Sequence, residues 1–221
     1  MKNMDQLRDL LHHELQDLHS AEEQIIAALP KMIEKAGNKK LKNALTNHLK
    51  VTEDQKSRLD EILTKMDEGS SEGNKEKQHK GILSRILGNG KPKCKGMEGL
   101  IVEGEKLMKE DMTGDVMDAA IIGAAQKIEH YEIASYGTVL AYAQELDLPA
   151  IELLLKQTLD EEYEADDLLT TLAEGGLNKD AINRHGSRRG TRAGSKTTSP
   201  RKTSSASRST NKKSRSKTKA R

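Results

Sequence analysis

The feature that most constrains this chain is a set of four long runs in which apolar residues recur at helical spacing. The runs are separated by a short break, a long polar stretch and a second short break. Residues 4–36 place Leu7, Leu11, Leu18, Ile25, Leu29 and Met32 on one stripe, and residues 39–67 do the same with Leu41, Leu45, Leu59, Ile62 and Met66. Residues 113–145 are apolar on more than one face, through Val116, Ala120, Ile121, Ala124, Ala125, Ile128, Ile133, Ala134, Val139 and Leu140, which predicts extensive burial. A fourth run starts at Pro149, a residue suited to a first helical turn. It carries Ile151, Leu154, Leu155, Leu159, Leu168, Leu169 and Leu172 up to Gly175-Gly176. Pro30 lies inside the first run as a candidate kink.

Gly37-Asn38 reads as a helix stop, and the shortness of this break predicts that the first two helices pack antiparallel. Between the second and third runs, residues 68–80 are polar and rich in Gly and Ser, residues 82–87 could form a turn or two of helix, and residues 88–96 form a loop. A short helix is expected from Met97 to about Lys109. The order is helix, short turn, helix, long crossover, helix, short turn, helix. That wiring is an all-α, antiparallel, ferritin-like four-helix bundle with a short helix in its crossover. Composition agrees: with no Phe or Trp and only four Tyr, no aromatic or alternating run suggests a sheet.

The formal net charge of +2 averages two unlike segments. Residues 184–221 hold 14 of the 37 Lys and Arg and none of the 35 acidic residues, so the body carries about −12 and the tail +14. We divide the chain into a bundle, residues 1–178, and a basic tail rich in Ser, Thr, Lys and Arg, residues 179–221. The tail has almost nothing apolar to bury and is expected to be disordered. Its asymmetry points to a polyanionic partner or to the acidic body itself. Phosphates would attract Arg188, Arg189, Arg192, Lys196, Arg201, Lys202, Arg208, Lys212, Lys213, Arg215, Lys217, Lys219 and Arg221 through counterion release, without reading sequence. This predicts nonspecific DNA binding. The tail has no aromatic residue for stacking on single strands. The bland alternative is a solubilising tail.

Cys94 is the only cysteine, which rules out an intrachain disulfide and suits a reducing compartment. Among lysines, its thiol could be acidified. No apolar run is long enough for a signal peptide or a membrane span. The expectation is a cytoplasmic protein without a membrane partner, with association to the nucleoid an option through the tail.

Polar residues interrupt each apolar stripe near its middle. Glu22 sits between Leu18 and Ile25. The second stripe reads Leu41, Leu45, His48, Thr52, Gln55, Leu59. Ile122, Gln126, Glu129, Ile133 and Tyr136 share a face with Glu132 close by, and Leu155, Thr158, Glu162, Asp166 and Leu169 line up. A buried carboxylate without a partner is costly or neutralises itself, so a cluster calls for a cation. Carboxylates with imidazole suit iron, manganese or zinc. Each Glu alone reads more simply as salt-bridged or snorkelling, and His48 reads equally as a hydrogen-bonded core histidine or as a ligand. His19 reads as exposed, and His12, His13, His79 and His185 as solvated. The tyrosines read as packing residues, one of which could bond a ligand carboxylate.

Five segments, DLHSAEEQIIAALPKM (17–32), HLKVTEDQKSRLDEIL (48–63), GMEGLIVEG (96–104), AAQKIEHYEIASYGT (124–138) and LLLKQTLDEEYEADDLLTTLA (153–173), resemble the YciF-like branch of the ferritin-like superfamily, a bacterial group linked to stress. The resemblance implies a rubrerythrin-like dinuclear metal site with Glu22, Glu129, Glu162 and Asp166 as ligands and Gln55 and Glu132 near them, Glu22 answering Glu129 and positions 51 and 55 answering Glu162 and Asp166. It implies one or two ions per chain and, if active, oxidation of Fe(II) by peroxide or oxygen. A homodimer follows by analogy. One position departs from the family pattern: Val51 stands where a glutamate is usual, and Glu53 points elsewhere on the helix. That leaves open a mononuclear, weak or lost site, and with it a non-catalytic nucleoid-associated or structural protein.

Overall fold

The computed structural model describes residues 4–69 and 93–187. The first long helix, α1 (Leu7–Lys35), starts where the Gln6 N–H meets the Asp9 carboxylate at 3.2 Å. It runs through Pro30, which is exposed. A tight turn leads into α2 (Lys39–Gly69). The Asn38 side-chain oxygen caps α2 by accepting from the N–H groups of Lys40 and Leu41 at 2.9 and 3.3 Å. The turn is pinned from across the bundle, where buried Asp118 accepts from Gly37 N at 2.7 Å and Asn38 N at 2.9 Å.

The crossover helix α3 (Lys95–Leu107) precedes α4 (Gly114–Glu145) and α5 (Pro149–Leu172). In the α4–α5 turn, Asp147 takes a left-handed conformation with φ 51° and Leu148 N returns to Ala143 O at 3.0 Å. Beyond α5 the chain makes a π-helical turn over Ala173–Leu177, where Gly176 adopts φ 145°, a conformation L side chains rarely take. It then continues as α6 (Asn178–Ser187). The compact unit ends at His185, so helix occupies the first residues of the segment read as tail. The crossover stretch 82–87 and the tail cations from Arg188 to Arg221 lie outside the described residues.

The expected architecture is the one observed. α1 packs on α2 and α4 on α5, α1 also meets α4 and α2 meets α5, and α3 lies against α1 and α4. At Gly104 a Cβ would sit 3.3 Å from that of Ala124, so the missing side chain allows α3 to approach α4 closely. Two apolar clusters fill the bundle. One joins Leu11, Leu15, Leu18, Leu59, Ile62, Met66, Tyr136, Val139, Ile151 and Leu155 at one end. The other joins Ile25, Leu29, Met32, Leu41, Leu45, Ile121, Ile122, Ala125, Ile128 and Leu169 at the opposite end. Between them, at the level where each stripe turns polar, every long helix delivers its buried hydrophilic residues.

Candidate metal centre

The middle layer buries Glu22 from α1, Thr52 and Gln55 from α2, Glu129 and Glu132 from α4, and Thr158 and Glu162 from α5, each 2 % exposed or less. Each sits there because its place in the helical period belongs to the core stripe. His48 of α2 completes the ring from a partly buried position. One ligand atom from each of His48, Glu129, Glu132 and Glu162 can be chosen so that all lie within 4.8 Å of one another. His48 Nε2 stands 3.4 Å from Glu129 Oε1.

The layer has too few hydrogen-bond donors for its acceptors. Tyr136 donates its phenol to Glu22 Oε1, and Gln55 Nε2 donates to Glu162 Oε1 and, at 3.3 Å, to Glu161 Oε2. Buried Glu22 Oε2, Glu129 Oε2, Glu132 Oε1, Glu162 Oε2, Gln55 Oε1 and His48 Nε2 have no hydrogen-bond partner. Native interiors rarely leave such atoms unserved.

Electrostatics follow from burial. Loss of water pushes the carboxyls of Glu22, Glu129 and Glu132 well above the usual carboxylate range, and the charge of Glu162 adds to each. Burial also lifts Glu162, to about 7, against hydrogen bonds from Glu129 and Gln55 that favour its anion. Burial drives His48 down to about 4, so its imidazole is neutral near pH 7 and free to act as a ligand. Converging carboxylates that resist ionisation, with a neutral imidazole and orphaned oxygens, suit a divalent cation of the iron, manganese or zinc kind.

The other residues singled out in the sequence have defined places. Asp166, one turn beyond Glu162, accepts from Gln126 Nε2 at 3.1 Å and lies 3.3 Å from His130 Nε2, apart from the convergent group. Tyr136 packs in the apolar cluster at one end and donates its phenol to the Glu22 carboxylate. Two readings are corrected. His19 is buried rather than exposed, with Nε2 2.9 Å from Asp60 Oδ1. The Cys94 thiol is buried and pushed up, first by that burial and then by Asp17, rather than acidified; it meets Tyr131 OH at 3.0 Å and the Met97 N–H at 3.4 Å.

Arg58 also borders the layer. Its guanidinium grips both Glu161 oxygens at 2.8 and 2.6 Å and Thr158 Oγ1 at 2.5 Å, on the α2–α5 flank of the layer. Its spacing of three residues from Gln55 was the available signal.

Comparison with known proteins gives this layer its context. The family model described as a domain of unknown function, DUF892, matches residues 6–86 and 77–182. The chain belongs to the DUF892 family. Within that family, protein YciF of Escherichia coli K12 is 40% identical over 182 residues, spanning 82% of this chain and 99% of YciF. The crystal structure of the Escherichia coli stress protein YciF superposes with a TM-score of 0.67 at 38% identity, covering 80% of this chain and 99% of that one. YcfI of Rhodopseudomonas palustris gives 0.64 at 38% identity, covering 77% and 98%. A Xanthomonas campestris protein gives 0.58 at 18% identity, covering 82% and 99%, a likeness of fold. The DUF892 fold is ferritin-like. No described helix of this chain is long and apolar enough to cross a membrane.

Proposed function

We propose that this DUF892 chain is a bacterial stress-associated protein whose bundle holds iron in the buried layer and whose tail binds DNA without sequence preference. The observation that carries the metal reading is the set of unpartnered buried atoms on His48, Glu129, Glu132 and Glu162, whose ligand positions lie within 4.8 Å of one another. These four residues would hold the ion, and Glu22 and Gln55 would border it. Bound iron would be the reductant for peroxide or oxygen, and holding it inside the buried layer, away from free solution, would limit radical damage. Tyr136 fixes Glu22, Gln55 fixes Glu162, and the two apolar clusters exclude bulk water from the layer. The tail reading rests on its basic residues, with no acidic residue after Asp180.

The test is metal content per chain after anaerobic loading with Fe(II) and desalting, beside a Glu129→Ala, Glu162→Ala double variant. Retained iron in the native chain and none in the variant is expected; no iron in either would sink the metal reading. For the tail, a gel shift of duplex DNA at low salt should vanish when the chain is cut after Ser187. Val51 favours a second reading, a nucleoid-associated or structural stress protein without chemistry, which an absence of retained iron would leave standing.

A further inference from the structure

The two helix pairs bring unequal donors to the layer. On α4, Glu129 is followed three residues later by Glu132; on α1, Glu22 is followed at the same interval by Ile25. On α5, Glu162 and Asp166 stand one turn apart; on α2 the turn ending at Gln55 begins at Val51. The α4–α5 pair thus offers carboxylates at four positions where the α1–α2 pair offers Glu22, Ile25, Val51 and Gln55.

The hydrogen bonds repeat this asymmetry. Glu22 Oε1 is already served by Tyr136, and Glu162 Oε1 by Gln55. Arg58 places a positive charge on the α2 side, held by Glu161 and Thr158. Glu129, Glu132, Glu162 and His48, each of which has an unserved buried atom, form the convergent group, and Glu22 lies outside it. Asp166 is engaged by Gln126 and His130, so the unserved buried atoms that remain in the layer for a second ion are one oxygen of Glu22 and the amide oxygen of Gln55. Protein sites for divalent transition metals commonly use three or more side-chain ligands, so this remainder is too poor.

We propose that the centre is built for one divalent cation per chain, on the α4–α5 side, held by His48, Glu129, Glu132 and Glu162, and that Val51 limits it to one. The inference rests on the metal reading above and departs from the paired site that the family resemblance implied. It bears on chemistry. Reduction of one peroxide to water takes two electrons, from two Fe(II) and with two protons, yielding two Fe(III) and two waters. A single-ion centre supplies half of that, so within one chain it holds iron rather than completing the reaction.

The experiment uses the full-length, metal-stripped protein titrated anaerobically with Mn(II), then desalted, with metal analysis and electron paramagnetic resonance. The native chain should retain one Mn(II) with the spectrum of an isolated ion. Val51→Glu should retain two, with the spectrum of a coupled pair. Glu22→Gln should keep the ion and Glu132→Gln should lose it, and these two comparisons stand if Val51→Glu does not fold. Two ions in the native chain, one ion in a folded Val51→Glu, or loss on Glu22→Gln would each overturn the proposal. No ion in the native chain would instead remove the metal reading itself, and this inference with it.

Discussion

His48 Nε2 lies 3.4 Å from Glu129 Oε1, yet it makes no hydrogen bond. The two side chains come from different helix pairs, so their approach measures how closely the pairs agree in level. Both carry their neutral forms more readily than in water, His48 because burial depresses its basicity and Glu129 because burial and Glu162 disfavour its anion.

That electrostatic state gives the metal-free protein an unusual pH dependence. A carboxyl raised in the folded chain contributes stability that is present below its unfolded value and is lost as pH rises through its folded value. For Glu162 the window runs from about 4.5 to about 7, and Glu22, Glu129 and Glu132 act in the same direction. His48, depressed to about 4, opposes this: its contribution is present above its unfolded value of 6.5 and is lost as pH falls toward 4. Four carboxyls outweigh one imidazole. The melting temperature of the metal-free chain should fall by roughly 5–10 °C between pH 5 and pH 8, and Glu162→Gln should flatten the slope. Calorimetry across that range tests it; a rising profile would contradict it.

Tyr136→Phe removes the only hydrogen-bond donor to Glu22 Oε1 recorded among the described residues and leaves a buried oxygen unserved. The expected loss is about 1–3 kcal/mol in urea denaturation. A second Glu22→Leu substitution should recover part of it, since removing both polar partners is less costly than orphaning one.

Asp118→Ala frees two backbone N–H groups at the α1–α2 turn, those of Gly37 and Asn38. Hydrogen bonds to a carboxylate put the expected cost at about 2–4 kcal/mol. Amide hydrogen exchange should accelerate at residues 37 and 38.

Gly96→Ala should destabilise the start of α3, because the new Cβ would stand 2.8 Å from Tyr131 Cε2. A shift of the ring or of the helix end is required, at about 1–3 kcal/mol. The measurement is the urea midpoint. Gly99→Ala has open space at its Cβ, should not lower the midpoint, and provides the control.

Much of the fold was legible because it depends on local periodicity. The stripes of Leu11 and Leu29, or Leu45 and Ile62, recur along single helices and need no knowledge of their neighbours. Glu22, Glu129 and Glu162 could be found the same way, as polar residues on an apolar stripe. Features joining distant segments were not legible. His19 meets Asp60 from another helix, and no spacing rule links residues that far apart. Tyr131 joins Cys94 to Asp17 for the same reason. Arg58 was overlooked because an arginine flanking a stripe usually reaches solvent; Glu161 and Thr158 on α5 turn it inward.

The foot of the crossover has a use as a clock. Cys94 caps α3 with its sulfur, has no exposed surface, and has its own N–H bonded to Ser20 Oγ at 3.0 Å and its carbonyl to Gln24 at 3.1 Å. A thiol reagent can reach it only when this joint between α1, α3 and α4 comes apart. As the only cysteine in the chain, it makes the labelling rate of the unmodified protein a reporter of those openings, and a count of them once the reagent outpaces reclosing.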